Sequence, residues 1–143
     1  MRRNLLVVVL GITFLILITW LGTIITNIVP HRATAQVQTA QAGPYQITMQ
    51  VNPNPPLITQ PATLSLQVLV SSSQQPVTNA HVTLEGGMET MDMGIDQVDA
   101  RSQGHGSYLA SVQFSMSGLW RISVIVAVPG TTPASAAFEV TAQ

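Results

Sequence analysis

The chain predicts an all-β fold, an immunoglobulin-like two-sheet β-sandwich of about seven strands preceded by one N-terminal transmembrane helix. Three observations predict it. The stretch from Leu5 to Val29 holds no charged side chain. Beyond residue 44, apolar and β-branched residues recur with period two. Clusters of Pro, Gly, Asn and Ser interrupt that pattern at roughly 8–12 residue intervals, the spacing of short strands and their turns.

Residues 1–32 read as a membrane anchor. Its charge-free run is 25 residues long, and at about 1.5 Å of helical rise it spans roughly 37 Å, enough to cross a hydrocarbon core with some tilt. Arg2 and Arg3 stand before it and only Arg32 just after it, so the charge bias puts the N-terminus in the cytoplasm and the rest of the chain outside. The alternative is a secretion signal cut after Ala35, since Ala33-Thr34-Ala35 has the small-x-small form of a cleavage site. The apolar run is longer than the ~7–15 residues of an ordinary signal, which favours the uncleaved anchor. Residues 33–43, small and polar without hydrophobic period, read as a flexible linker.

The domain, residues 44–143, follows. Strands are expected at Tyr45 to Val51, Thr63 to Val70, His81 to Leu84, Ile95 to Ala100, Ser107 to Phe114, Trp120 to Val128 and Ala136 to Thr141. Leu64, Leu66, Val68 and Val70 alternate with Ser65, Gln67 and Leu69, so one face of that strand is buried and the other half wet. Trp120, Ile122, Val124, Val126 and Val128 form a second such stripe, with Ile125 and Ala127 making its other face partly apolar.

Composition excludes several functions. The chain has no cysteine, which removes disulfides, zinc-thiolate sites, iron-sulfur clusters, thiol nucleophiles and a lipoprotein anchor together. Its five basic residues are all arginine and its net charge is −1, so there is no basic field to hold nucleic acid. No nucleophile, base and orienting group occur in a recognisable arrangement, and the chain is expected not to be an enzyme.

The methionines are the residues left with chemistry to do. Four of six fall between Met88 and Met116, three of them within Gly86-Gly87-Met88-Glu89-Thr90-Met91-Asp92-Met93-Gly94. Glycines and carboxylates around Met88, Met91 and Met93 suit a loop better than a core, and three large apolar side chains there need a reason. Thioethers are soft neutral donors that favour Cu(I) over hard divalent ions, and they work outside the cytoplasm where free thiols oxidise. Met116 precedes Trp120, and strand parity puts its turn at the same end of the sandwich as the Met88 to Met93 segment. His105, between Gly104 and Gly106, has ligand chemistry but belongs by parity to the other end. Met49 reads as core, His81 as a surface strand residue, and His31 as a polar residue at the membrane interface. Glu89 and Asp92 read as loop-solubilising residues or as oxygen partners of a metal.

In order, Pro76-Val77-x-x-Ala80-x-Val82-x-Leu84, Met88-x-x-Met91-x-Met93-Gly94, Gly106-x-Tyr108-x-Ala110 and Phe114-x-Met116-x-Gly118-x-Trp120 resemble the YtkA-like domain, related to FixH-type proteins. The resemblance runs from about Tyr45 to Val128. It implies a bacterial, membrane-tethered copper-binding domain on the outer side of the cytoplasmic membrane, of the kind associated with copper delivery to haem-copper oxidases. It implies Met88, Met91, Met93 and Met116 as ligands, with Tyr108, Gly118 and Trp120 structural. Thr90 stands where the family often has proline.

The expected function is therefore a single-pass, extracytoplasmic Cu(I) carrier or metallochaperone that serves assembly of a copper-containing respiratory oxidase, its metal residues Met88, Met91, Met93 and Met116 with His105 as a further candidate. A non-metal accessory subunit docking on a larger membrane complex is the alternative from another class, and a copper-sequestering resistance protein a third.

Overall fold

A computed structural model of the chain describes residues 11–20, 34–88 and 97–143. The chain divides into two compact units, Met1–Arg32 and Ala33–Gln143. In the first, residues 11–20 are helical and exposed, and Thr19 Oγ1 donates to the Leu15 carbonyl one turn back at 2.8 Å. The other residues of the expected span lie outside those described. Among the described residues no helix is long and apolar enough to cross a membrane.

The second unit is all β. Its strands are β1 (Val37–Ala42), β2 (Tyr45–Asn52), β3 (Ala62–Val70), β4 (His81–Met88), β5 (Val98–Gly104), β6 (Ser107–Val112), β7 (Gly118–Ala127) and β8 (Ala134–Ala142). Every pairing is antiparallel, in the order β1-β2-β3-β6-β5-β4-β7-β8. β5 is the corner strand. Val98 and Ala100 pair with Leu84 and Val82 of β4, whereas Arg101 and Ser102 pair with Leu109 and Tyr108 of β6. The sheet therefore folds over into two layers and nearly closes, because Gln38 of β1 reaches β8: its Nε2 donates to the Glu139 carbonyl at 2.6 Å and its Oε1 accepts from the Glu139 amide at 3.4 Å.

Two expectations change. There are eight strands, and the added one is β1, which occupies most of the stretch 33–43 expected as a flexible linker. Its Val-Gln-Thr-Ala-Gln-Ala sequence is held by ladder pairing with β2 from Val37↔Gln50 to Ala42↔Tyr45, not by side-chain hydrophobicity. In addition, β4 does not stop at Leu84. Gly86, Gly87 and Met88 continue the ladder opposite Ile122, Arg121 and Trp120, so the first third of the expected methionine loop is strand.

Alternation builds the core as expected for β3 and β7. Leu64, Leu66 and Val68 share one buried cluster with Ile122, Val124 and Val126, all within a few per cent of full burial, and Met49 joins them at 0% exposure. Tyr108 ties the β3–β4 crossover to this core. Its hydroxyl donates to the Val77 carbonyl at 2.8 Å and accepts from the Ala80 amide at 3.3 Å while its ring is 1% exposed. Tyr108→Phe strands both backbone groups, and is expected to cost about 1–3 kcal/mol in denaturant unfolding without changing the far-ultraviolet spectrum.

Candidate metal centre

Strand polarity gives the sandwich two ends. One gathers the start of β1, the ends of β2, β4, β6 and β8, and the starts of β3, β5 and β7. Met88 closes β4 there, opposite Trp120, with its side chain half-buried against the core on the same face as Val82 and Leu84. Its Cε methyl reaches over Gly118, so close that a β-carbon added at that position would lie 2.7 Å from it. Gly118 has a φ of +141°, a conformation open to glycine and rarely to other residues. One glycine thus turns the chain into β7 and clears the space that the thioether tip of Met88 occupies.

Met116 lies two residues before that glycine and is half-buried. Its carbonyl accepts a hydrogen bond from Trp120 Nε1 at 3.0 Å, which fixes the approach to β7. The Trp120 indole stands edge-on to Phe114, with ring centroids 5.5 Å apart and planes at 74°, and both rings are almost completely buried. Such a pair contributes about 0.5–1.5 kcal/mol beyond its burial. The result is a buried aromatic floor, Phe114 and Trp120, at the end where Met88 closes β4 and Met116 leads into β7. The spacing Phe114-x-Met116-x-Gly118-x-Trp120 contained this floor, but the indole bond to Met116 has no signature in the sequence.

Met91 and Met93 lie outside the described residues, as do Glu89, Asp92 and His31. The structure places His105 at the opposite end of the sandwich from Met88 and Met116. It sits with Gly106 in the two-residue turn between β5 and β6, with φ of +53° and +73°, the signature of a tight type I′ hairpin. The length of β6 separates this turn from the other end, about 20 Å at roughly 3.3 Å per residue. The His105 carbonyl accepts from Gln67 Nε2 at 2.9 Å, and its side chain is exposed. His105→Ala is accordingly expected to leave Cu(I) affinity at the parent value in a chelator competition.

His81 opens β4, also far from Met88, with Nε2 3.2 Å from Asp99 Oδ1 in an exposed pair that Thr83 Oγ1 joins at 3.1 Å. Among the described residues no group of three or more His, Cys, Asp or Glu is placed to hold a metal ion. The soft donors that the described residues place at the Met88 end of the sandwich are the thioethers of Met88 and Met116.

No curated protein matches the sequence. Among solved structures the chain is similar to the crystal structure of a DUF4426 family protein from Pseudomonas aeruginosa PAO1, with 12% identity, a TM-score of 0.49, and 73% of this chain and 94% of that chain covered. The family model described as YtkA-like matches residues 39–125, from within β1 to late in β7 and across the Met88, Met116 and Trp120 positions. That match takes in more than half of the sequence and seven of the eight strands in whole or part, β8 excepted, and the chain belongs to the YtkA-like family.

Proposed function

We propose that this protein is a membrane-tethered, extracytoplasmic Cu(I) carrier that supplies copper for assembly of a respiratory oxidase, and that it is not an enzyme. The observation that carries the reading is the placement of Met88 and Met116 at one end of the sandwich, with the Met88 methyl over Gly118 and Met116 two residues before that glycine. Met91 is three peptide units from Met88 and Met93 five, so their Cα atoms lie within about 11 and 18 Å of it whatever path the chain takes. Four thioethers can therefore meet at one mouth. Weak neutral donors at an accessible rim suit a cargo ion that must leave by ligand exchange.

A competing reading has support in the half-burial of Met88 against the core: the methionines then form an adaptable apolar contact for a larger membrane complex. Leucine separates the two. It conserves volume and packing but removes the sulfur. The quadruple Met88, Met91, Met93, Met116→Leu protein is expected to lose Cu(I) binding in anaerobic titration against a competing chelator while keeping the parent's thermal midpoint. Parent-like affinity in that variant sinks the copper reading. Oxidase assembly and copper-dependent growth of a deletion strain separate delivery from sequestration.

A further inference from the structure

We propose that the outer face of β1, β2, β3 and β6 is a binding platform for an uncharged, β-linked glycan, which lies across the strands with one sugar over each. The inference goes beyond the copper reading and does not depend on it, because it uses a different layer of the sandwich from the one that carries Met88.

Strand register builds the platform. One row of outward side chains crosses the sheet as Val37, Gln50, Ser65 and Leu109, each paired with the next. The adjacent row runs Thr39, Thr48, Gln67 and Ser107 in the same way. Each of the four strands thus offers two side chains. Apart from Thr39, both rows line a shallow cleft of about 290 Å³, which Gln103 of β5 also borders. Val37 and Leu109 stand exposed at the ends of the first row, three strand spacings or about 14 Å apart.

The polar groups between them are ordered and partly unspent. Thr39 Oγ1 and Thr48 Oγ1 share a hydrogen bond at 3.1 Å, Ser107 Oγ donates to Gln67 Oε1 at 2.7 Å, and Gln67 Nε2 donates to the His105 carbonyl at 2.9 Å. The second row is therefore held in place. In the first, the Gln50 carboxamide and the Ser65 hydroxyl bond to no group among the described residues, and both positions are exposed. Together they present donors and acceptors to the outside, the mixture that sugar hydroxyls need.

Charge and spacing select the occupant. Among the described residues of the domain the acids are Glu85, Asp99 and Glu139, which belong to β4, to the β4-paired half of β5 and to β8, and none lies on the platform. The nearest cation in register is Arg101, opposite Leu109 at the β5 edge. A nucleic acid would need a row of cations there. An extended peptide advances about 3.3 Å per residue, out of step with strands about 4.8 Å apart. One pyranose ring with its glycosidic oxygen is close to the strand spacing, so successive sugars of a β-linked chain fall on successive strands. Their C–H faces pack on Val37 and Leu109, and their hydroxyls meet the carboxamides and hydroxyls between.

Calorimetric titration of the full chain, in a detergent without a sugar headgroup, against β-linked N-acetylglucosamine and glucose oligomers tests the platform. Affinity is expected to rise about tenfold from dimer to tetramer and to level off at the hexamer, because four strands carry the rows. Binding of both tetramers places recognition on the shared hydroxyls, and binding of the N-acetylated one alone places it on the acetamide; either supports the proposal. Gln50→Leu and Ser65→Val should each weaken the tetramer about tenfold at an unchanged thermal midpoint, while Ser123→Val on the outer face of β7 leaves it at the parent value. No binding of any oligomer, an affinity independent of length, or an equal loss in the Ser123 variant overturns the proposal. Self-association in light scattering that Gln50→Leu abolishes, with no oligomer bound, gives the face to a second copy and overturns it too. The titration contains no copper, so a protein that binds glycan but not Cu(I) sinks the proposed function and leaves the platform standing.

Discussion

Gly106→Ala is expected to lower the thermal midpoint of the domain by roughly 15 °C, taking about 4 °C per kcal/mol for a domain near 100 residues. Gly106 has a φ of +73°, where an L side chain costs about 1–3 kcal/mol. An added β-carbon would also stand 2.7 Å from the Val68 carbonyl oxygen and 2.8 Å from Pro76 Cβ. Neither neighbour can yield easily. The Val68 carbonyl accepts from the Val77 amide at 3.0 Å, and the Val68 amide donates to the Gly106 carbonyl at 2.8 Å, so the hairpin turn, β3 and the crossover are locked to one another. Overpacking there adds about 1–3 kcal/mol to the conformational cost, giving a total near 4 kcal/mol. Gly104→Ala is the control. Its φ is +86° but its β-carbon would meet nothing within 4 Å, so it should show the conformational cost alone. A fall for Gly106→Ala no larger than that for Gly104→Ala would refute the steric part of the argument.

Those same turns show what could be read from the sequence. Gly104-His105-Gly106 announced a hairpin turn, and strand parity around it put His105 at the far end from Met88, where the structure has it. The stripes Leu64-Leu66-Val68 and Trp120-Ile122-Val124 announced buried faces because each alternates against polar or exposed neighbours. β1 gave no such sign. Its inward positions are Gln38, Ala40 and Ala42, and its stability comes from backbone pairing and the Gln38 carboxamide, which composition does not encode. The glycines of β4 misled in the same way. Gly86 and Gly87 weaken a strand by intrinsic preference, yet β7 supplies a full ladder partner for each, and tertiary pairing overrides local propensity. Of the candidate site, strand parity put Met88 and Met116 at one end, where the structure has them, and Met91 and Met93 lie outside the described residues. The slot over Gly118 was not legible, since it exists only once β4 and β7 are paired.

That slot makes Gly118→Ala the second large-effect change, and its effect should divide between stability and binding. The φ of +141° makes alanine strained whatever the space, at a cost of about 1–3 kcal/mol that a thermal or denaturant midpoint will register. The steric cost is different in kind, because the atom 2.7 Å away is the terminal methyl of a flexible side chain and can move. If Met88 is a ligand, moving it displaces its sulfur from the position set over Gly118, and Cu(I) affinity is expected to fall about tenfold, equivalent to roughly 1.4 kcal/mol. A double-mutant cycle isolates this contact from the strain. Leucine at position 88 lacks the methyl that the new β-carbon would strike, so Met88→Leu should cost less stability in the Gly118→Ala background than in the parent, with a coupling of about 1 kcal/mol. Strict additivity would mean that backbone strain acts alone and that Gly118 does not shape the position of Met88. Met88→Leu by itself should lower affinity with little change in midpoint, because it conserves packing, whereas Gly118→Ala should lower both. A residue that merely turned the chain would move only the midpoint, so a fall in affinity beyond that shared with the unfolding equilibrium identifies Gly118 as the positioning residue for the thioether above it.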